Sequence, residues 1–114
     1  MDISILEGKE LTAVEFVLDY LQLRFDEPTL TLYDWPTLLL PDFSLAHGEP
    51  EYRNGLCAQI GEEVETATLD EGDSLTLKLA NNVVLALSLR EEDLSTPQAG
   101  AFSETGSPTD QEEF

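Results

Sequence analysis

Apolar and polar residues alternate along most of this chain, the period of a strand with one face buried. The clearest run is Leu75-Thr76-Leu77-Lys78-Leu79, followed by Val83, Leu85, Leu87 and Leu89 at every second position. Turn chemistry brackets these runs at Asp70-Glu71-Gly72-Asp73 and at Asn81-Asn82. Leu21-Gln22-Leu23-Arg24-Phe25 alternates in the same way, and Leu30 with Leu32 follow the turn at Glu27-Pro28. The stretch from Leu11 to Phe25 is ambiguous when taken alone. Leu11, Val14, Leu18, Leu21 and Phe25 would also line one face of a helix, whereas Val14, Phe16, Leu18 and Tyr20 alternate, with a slip of phase at Asp19-Tyr20.

The second half of the chain resolves the ambiguity in favour of strands. Gly8-Lys9-Glu10-Leu11-Thr12-Ala13-Val14 and Gly61-Glu62-Glu63-Val64-Glu65-Thr66-Ala67 share one order of polar and apolar positions. Leu21 to Phe25 and Leu75 to Leu79 share another, with Arg24 and Lys78 at the same place. The pattern predicts two three-stranded antiparallel meanders, with strands near 11–18, 21–26 and 29–34, then 64–70, 74–80 and 83–90. An internal repeat with halves at about 6–35 and 59–90 accounts for the likeness; hairpin meanders that share such patterns without duplication account for it equally.

Between the halves, Tyr52, Leu56 and Ile60 recur at a spacing of four, with Gly61 as a stop, which predicts a helix over about 49–61. Trp35-Pro36 through His47-Gly48 is expected to be a connecting loop. The expected fold class is mainly β (α+β): a six-stranded, mainly antiparallel single domain over 1–102. Residues 103–114 lack basic residues, branched aliphatics and apolar periodicity, and are expected to form a disordered acidic tail.

Charge narrows the functional classes. The chain of 114 residues has 24 acidic and 5 basic side chains, a formal net charge of −19. Only four of the acids (Glu104, Asp110, Glu112 and Glu113) lie in the tail, so the acidity belongs to the folded surface. Such a balance argues against nucleic acid as a partner, since phosphate contacts draw on Lys and Arg. The first residues carry Asp2 and Glu7 rather than a basic and then apolar leader, so no signal peptide is expected. The longest apolar run, Val83 to Leu87, is far short of the ~20 residues of a membrane span, as is Leu38-Leu39-Leu40. With the single Cys57 unable to form an internal disulfide, the expected location is the cytoplasm.

Two segments, Phe16-x-x-Asp19-Tyr20-x-Gln22-Leu23-x-Phe25 and Tyr52-Arg53-x-x-Leu56-Cys57-x-x-Ile60-Gly61, resemble a group of small uncharacterised bacterial proteins built around a domain of unknown function. The likeness covers roughly residues 6–102. It implies a bacterial cytosolic protein and carries over no functional residue.

Candidate chemistry is sparse. Cys57, mid-helix beside Leu56, is expected to be buried and inert, and His47 in its polar loop to be solvated. Asp42, His47, Glu49 and Glu51 lie close in sequence, as do Asp70, Glu71 and Asp73. The turn Asp70-Glu71-Gly72-Asp73 is too short to wrap an ion and does not match a calcium loop, and zinc would lack His and Cys ligands, so no metal site and no cofactor is expected. No Gly-rich phosphate loop is present. What remains is a set of aromatic rings beside charge: Asp19-Tyr20, Asp34-Trp35 and Tyr52-Arg53. Tyr, Trp and Arg dominate binding hot spots, and a negative field speeds encounter with a positive partner. A net charge of −19 also exceeds the magnitude of roughly 2–8 that suffices for solubility.

The reading is an acidic interaction module without catalysis. It would bind a basic protein partner through Asp19, Tyr20, Asp34, Trp35, Tyr52 and Arg53, or associate with itself, a homodimer being one form. A small carboxylate-based hydrolase assisted by a divalent metal is the alternative. It would require several carboxylates converging in a concave pocket.

Overall fold

The computed structural model describes residues 2–114. The chain is mainly β, and its described residues form ten strands in two antiparallel five-stranded sheets. The first sheet has the order β1 (Ala13–Val17), β2 (Tyr20–Arg24), β3 (Thr29–Leu32), β9 (Gly100–Ser103), β10 (Glu112–Glu113). In the second, β6 (Val64–Asp70), β7 (Ser74–Leu79) and β8 (Val84–Ser88) are followed by β4 (Thr37–Leu39) and β5 (Ser44–Leu45). A single α-helix, α1 (Tyr52–Cys57), lies between β5 and β6 in the chain.

Both predicted meanders are present. β1, β2 and β3 pair in sequence order, and so do β6, β7 and β8. Their alternating leucines face each other across the interior: Leu23, Leu30 and Leu32 of the first sheet meet Leu75, Leu77, Leu85 and Leu87 of the second. Only about 10 Å³ is left between these side chains, the density expected of a protein interior. Arg24 and Lys78 do occupy matching places, each on the middle strand of its meander rather than at an edge. Arg24 pairs with Glu15 on β1 at 3.3 Å, and Lys78 with Glu65 on β6 at 3.2 Å.

The chain departs from the six-stranded expectation in three places. First, the predicted loop from Trp35 to Gly48 contains β4 and β5, which carry the chain from one sheet to the other. Leu38 pairs with Leu45 and Leu85 and is buried, while its neighbour Leu39 is exposed. Strands of two and three residues are too short to display a period, so the run of three leucines concealed them.

Second, the helix is shorter than the predicted 49–61. Beyond Cys57 the chain passes through turns to Gly61, whose φ of +100° suits glycine. The turn rotates the apolar stripe away from the core. Ile60 is 45 % exposed and Gln59 is buried instead, donating to Gly55 O at 3.0 Å and accepting from Asn81 Nδ2 at 2.9 Å. Cys57, expected to be buried, is exposed, because the buried side of this short helix is taken by Tyr52 and Leu56.

Third, in place of a disordered tail, residues 104–114 fold back onto the first sheet. β10 pairs with β9, Phe114 N–H donates to Gly100 O at 3.0 Å, and the Phe114 ring packs against the core. The Asp110 carboxylate holds the loop between them. It accepts from Ser103 Oγ and, at 3.1 and 3.0 Å, from Thr105 N and Oγ1. Gly106, at φ +82°, lies over Thr29 and leaves no room for a side chain, its Cβ position being 2.7 Å from Glu27 O. With Leu30 and Leu32 facing the second sheet, this cover accounts for the burial of the two threonines of β3.

The hydrogen bond from Ser103, with those from Thr105, holds the Asp110 carboxyl below its ordinary value of 3.8. A group with a depressed folded-state value stabilises its bonded state above the ordinary value, and that contribution is lost as pH falls through the folded one. Asp110→Asn, or acidification of the wild type, is therefore expected to speed amide exchange at Thr105 and Phe114 and leave β7 unchanged. Equal protection of those two amides in Asp110→Asn would show that the clasp does not hold the tail.

Candidate functional site

Trp35 lies in the short connection from β3 to β4, where the chain crosses to the second sheet, and the Pro36 that follows restricts the backbone just before β4. Its neighbours come from distant parts of the chain. Phe16, on the inward side of β1, stacks on it with ring centroids 6.1 Å apart and planes at 15°. His47, in the turn after β5, stacks on it at 4.2 Å and 3°. The His47 ring in turn meets Tyr52 edge-on at 5.7 Å and 80°. Arg53 closes the row, its guanidinium carbon 5.5 Å from the Phe16 ring centroid, within range of a cation–π contact.

Local bonding keeps these rings in place. Tyr52 is 1 % exposed and its hydroxyl donates to Pro36 O, tying α1 to the crossover. Burial pushes its phenol well above the usual range. Glu49 Oε1 accepts the Ala46 N–H at 2.8 Å and so closes the turn that presents His47. A shallow cleft of about 240 Å³ opens beside His47, lined also by Glu49, Tyr52 and Arg53.

Of the six residues singled out in the sequence, the structure brings together Trp35, Tyr52 and Arg53. Asp19 and Tyr20 lie elsewhere: Leu18 and Asp19 form the two-residue loop between β1 and β2, and Tyr20 faces outward, opposite to Phe16. Near it is Tyr33, whose phenol is raised by burial and by the carboxylate of Glu113 to which it hydrogen-bonds. Asp34 is used internally, accepting Ser95 N–H at 3.1 Å and Ser95 Oγ–H at 2.7 Å. Phe16 and His47 belong to the cluster although the sequence did not point to them. The pairing of Leu38 with Leu45 is what brings the His47 turn back beside Trp35 and Pro36. Without that register, His47 looks like any loop histidine.

The charge balance at the surface is lopsided. Arg24, Lys78 and Arg90 are engaged with Glu15, Glu65 and Asp73 of their own chain, the last at 3.2 Å. These pairs are well exposed and each is worth no more than about 1 kcal/mol. They use three of the five cations against 24 acids, so the molecule has a strong outward negative field. Among the described residues no group of three or more His, Cys, Asp or Glu side chains is placed to hold a metal ion, and no helix is long and apolar enough to cross a membrane.

Fold and surface together define a class: a two-sheet antiparallel β domain with an acidic exterior and a stack of aromatic rings at the crossover between its sheets. No protein-family model, curated protein or solved structure matches the chain.

Proposed function

We propose that this protein is a non-catalytic interaction module that binds a basic protein partner. The observation that carries the reading is the surplus of acids: most of the few cations are already paired within the chain, which leaves an acidic surface suited to a positively charged partner. The stacked rings of Phe16, Trp35 and His47 supply the rigid aromatic element that hot spots favour. A carboxylate-based hydrolase would call for acids of raised pKa converging in a pocket. Asp2 and Asp110 are instead held below the ordinary carboxyl value, chiefly by hydrogen bonds from Ser4 and Ser103.

The test is retention of proteins from lysate of the encoding organism on the immobilised chain. A basic protein is expected to be held at low salt and released at about 0.5 M, where the screening length is only a few Å. Trp35→Ala is expected to weaken retention by about tenfold or more if the stack is the hot spot, with the thermal midpoint monitoring the fold. If no basic protein is held at either salt concentration, the reading fails.

A further inference from the structure

Three of the four sheet edges are closed by the chain itself or kept very short. β5 and β10 are two residues each. β6 is long, but the segment after the N-terminal turn runs beside its start. Gly8 N–H donates to Val64 O and Val64 N–H to Lys9 O, both at 2.8 Å, and Glu7 Oε2 takes the Ala67 N–H at 3.0 Å. The fourth edge is β1, Ala-Val-Glu-Phe-Val, five residues without Pro, Gly or Lys. Long apolar edges are ones that proteins ordinarily blunt.

The register shows which groups on this edge are open. Phe25 N–H donates to Pro28 O, so those two residues form a hydrogen-bonded pair. Bonded and non-bonded pairs alternate in an antiparallel ladder, which makes Leu23 with Leu30, and Leu21 with Leu32, the next bonded pairs. Tyr20, Gln22 and Arg24 then turn their backbone groups toward β1 and bond Val17, Glu15 and Ala13. Val14 and Phe16 are left with N–H and C=O directed away from the sheet. Among the described residues no other group hydrogen-bonds to the backbone of either. Helix α1 reaches β1 through Arg53 on the Phe16 ring. Just past the strand, Leu18 is 98 % exposed.

Charge selects the occupant. A second copy would bring −19 against −19, and the symmetric register centred on Glu15 would set two Glu15–Arg24 pairs side by side, like charge against like. A basic segment meets neither obstacle. We infer that β1 receives an extended segment of a basic protein as an added strand, bonded to Val14 and Phe16. Its Lys or Arg side chains lie on the Glu15 side and its aliphatic ones on the side of Val14 and Phe16. This mode of recognition draws affinity from main-chain bonds and specificity from alternate side chains. The inference rests on the basic-partner reading and names the surface that the partner takes.

The probe is a short peptide of alternating lysine and valine, with an alternating glutamate–valine peptide and a lysine oligomer as controls. Amide exchange is followed residue by residue in the full chain. The lysine–valine peptide is expected to slow exchange at Val14 and Phe16 by about tenfold or more, with little change at Ala13, Glu15 and Val17, already bonded to β2. Neither control is expected to do so. Val14→Pro removes one outward N–H and no bond to β2, and is expected to weaken peptide binding by about tenfold. Salt-sensitive binding that leaves the Val14 and Phe16 amides unprotected would overturn the assignment to β1 while sparing the basic-partner reading. If the peptide, the lysine oligomer and every basic protein of the lysate fail to bind, both fall. Protection of these two amides in the free chain that rises with its own concentration would put a second copy on the edge and overturn the assignment.

Discussion

Gly100→Ala is expected to destabilise the protein by about 3 kcal/mol, a fall of roughly 12 °C in the thermal midpoint for a domain of this size. A Cβ at this position would overlap the carbonyl oxygen of Thr31 and stand 2.9 Å from Phe114 Cζ and 3.3 Å from Leu32 Cα. The ring could turn aside, but the backbone of β3 cannot. Gly100 pairs with Leu32 and Ala101 with Thr31 in the ladder that joins β9 to β3, so making room means opening that ladder. The loss should therefore persist in the Gly100→Ala, Phe114→Ala double variant, which removes the ring and leaves the Thr31 carbonyl in place. Melting followed by circular dichroism measures both. An unchanged midpoint in Gly100→Ala would mean that β9 does not pack against β3 in this way.

Tyr52→Ala is expected to cost about 4 kcal/mol, in the range for removing a large buried aromatic. The ring fills the space beneath Pro36 and supports His47 from the side, and little around it can collapse inward. Tyr52→Phe separates the hydroxyl from the ring. It leaves Pro36 O without its donor and should cost about 1–2 kcal/mol. The phenol adds a pH dependence. Its folded-state value is raised by burial, so the unfolded chain loses this proton first, near the ordinary value of 10.0. Stability is whole below that pH and falls above it, with a slope approaching 1.4 kcal/mol per pH unit, about the worth of one proton. Urea unfolding at mildly and strongly alkaline pH should show this slope in the wild type and a shallower one in Tyr52→Phe. Equal slopes in the two would remove the buried phenol as the cause.

The strands that could be read from sequence are those long enough to repeat a period against one buried face. β2, β7 and β8 display it through Leu21, Leu23, Leu75, Leu77, Leu85 and Leu87. β4, β5 and β10 could not be read, because a strand of two or three residues is defined by its partners rather than by its own pattern. The same holds for the return of the tail. Phe114 is a lone aromatic among acids until Gly100 and Ala99 are seen to bond its backbone. At the candidate site, Trp35, Tyr52 and Arg53 stood out because rings beside charge are visible in one dimension. Phe16 and His47 did not, since their meeting depends on the hairpin of β4 with β5. Asp34 misled for the reverse reason: its carboxylate, adjacent to Trp35 in sequence, is occupied by Ser95.

The place of β9 beside β3 bears on how the chain is made. Every residue of the second sheet lies between these two partners in sequence. On a ribosome, the meander of β1, β2 and β3 emerges early, yet the outward groups of Thr29 and Thr31 have no strand to bond until Gly100 to Ser103 emerge. Through that interval β3 is a naked edge of alternating threonine and leucine, the kind of surface on which nascent chains stick to one another. The acids of the body, all of them translated before β9, give each unfinished chain a like charge that holds it apart from its neighbours.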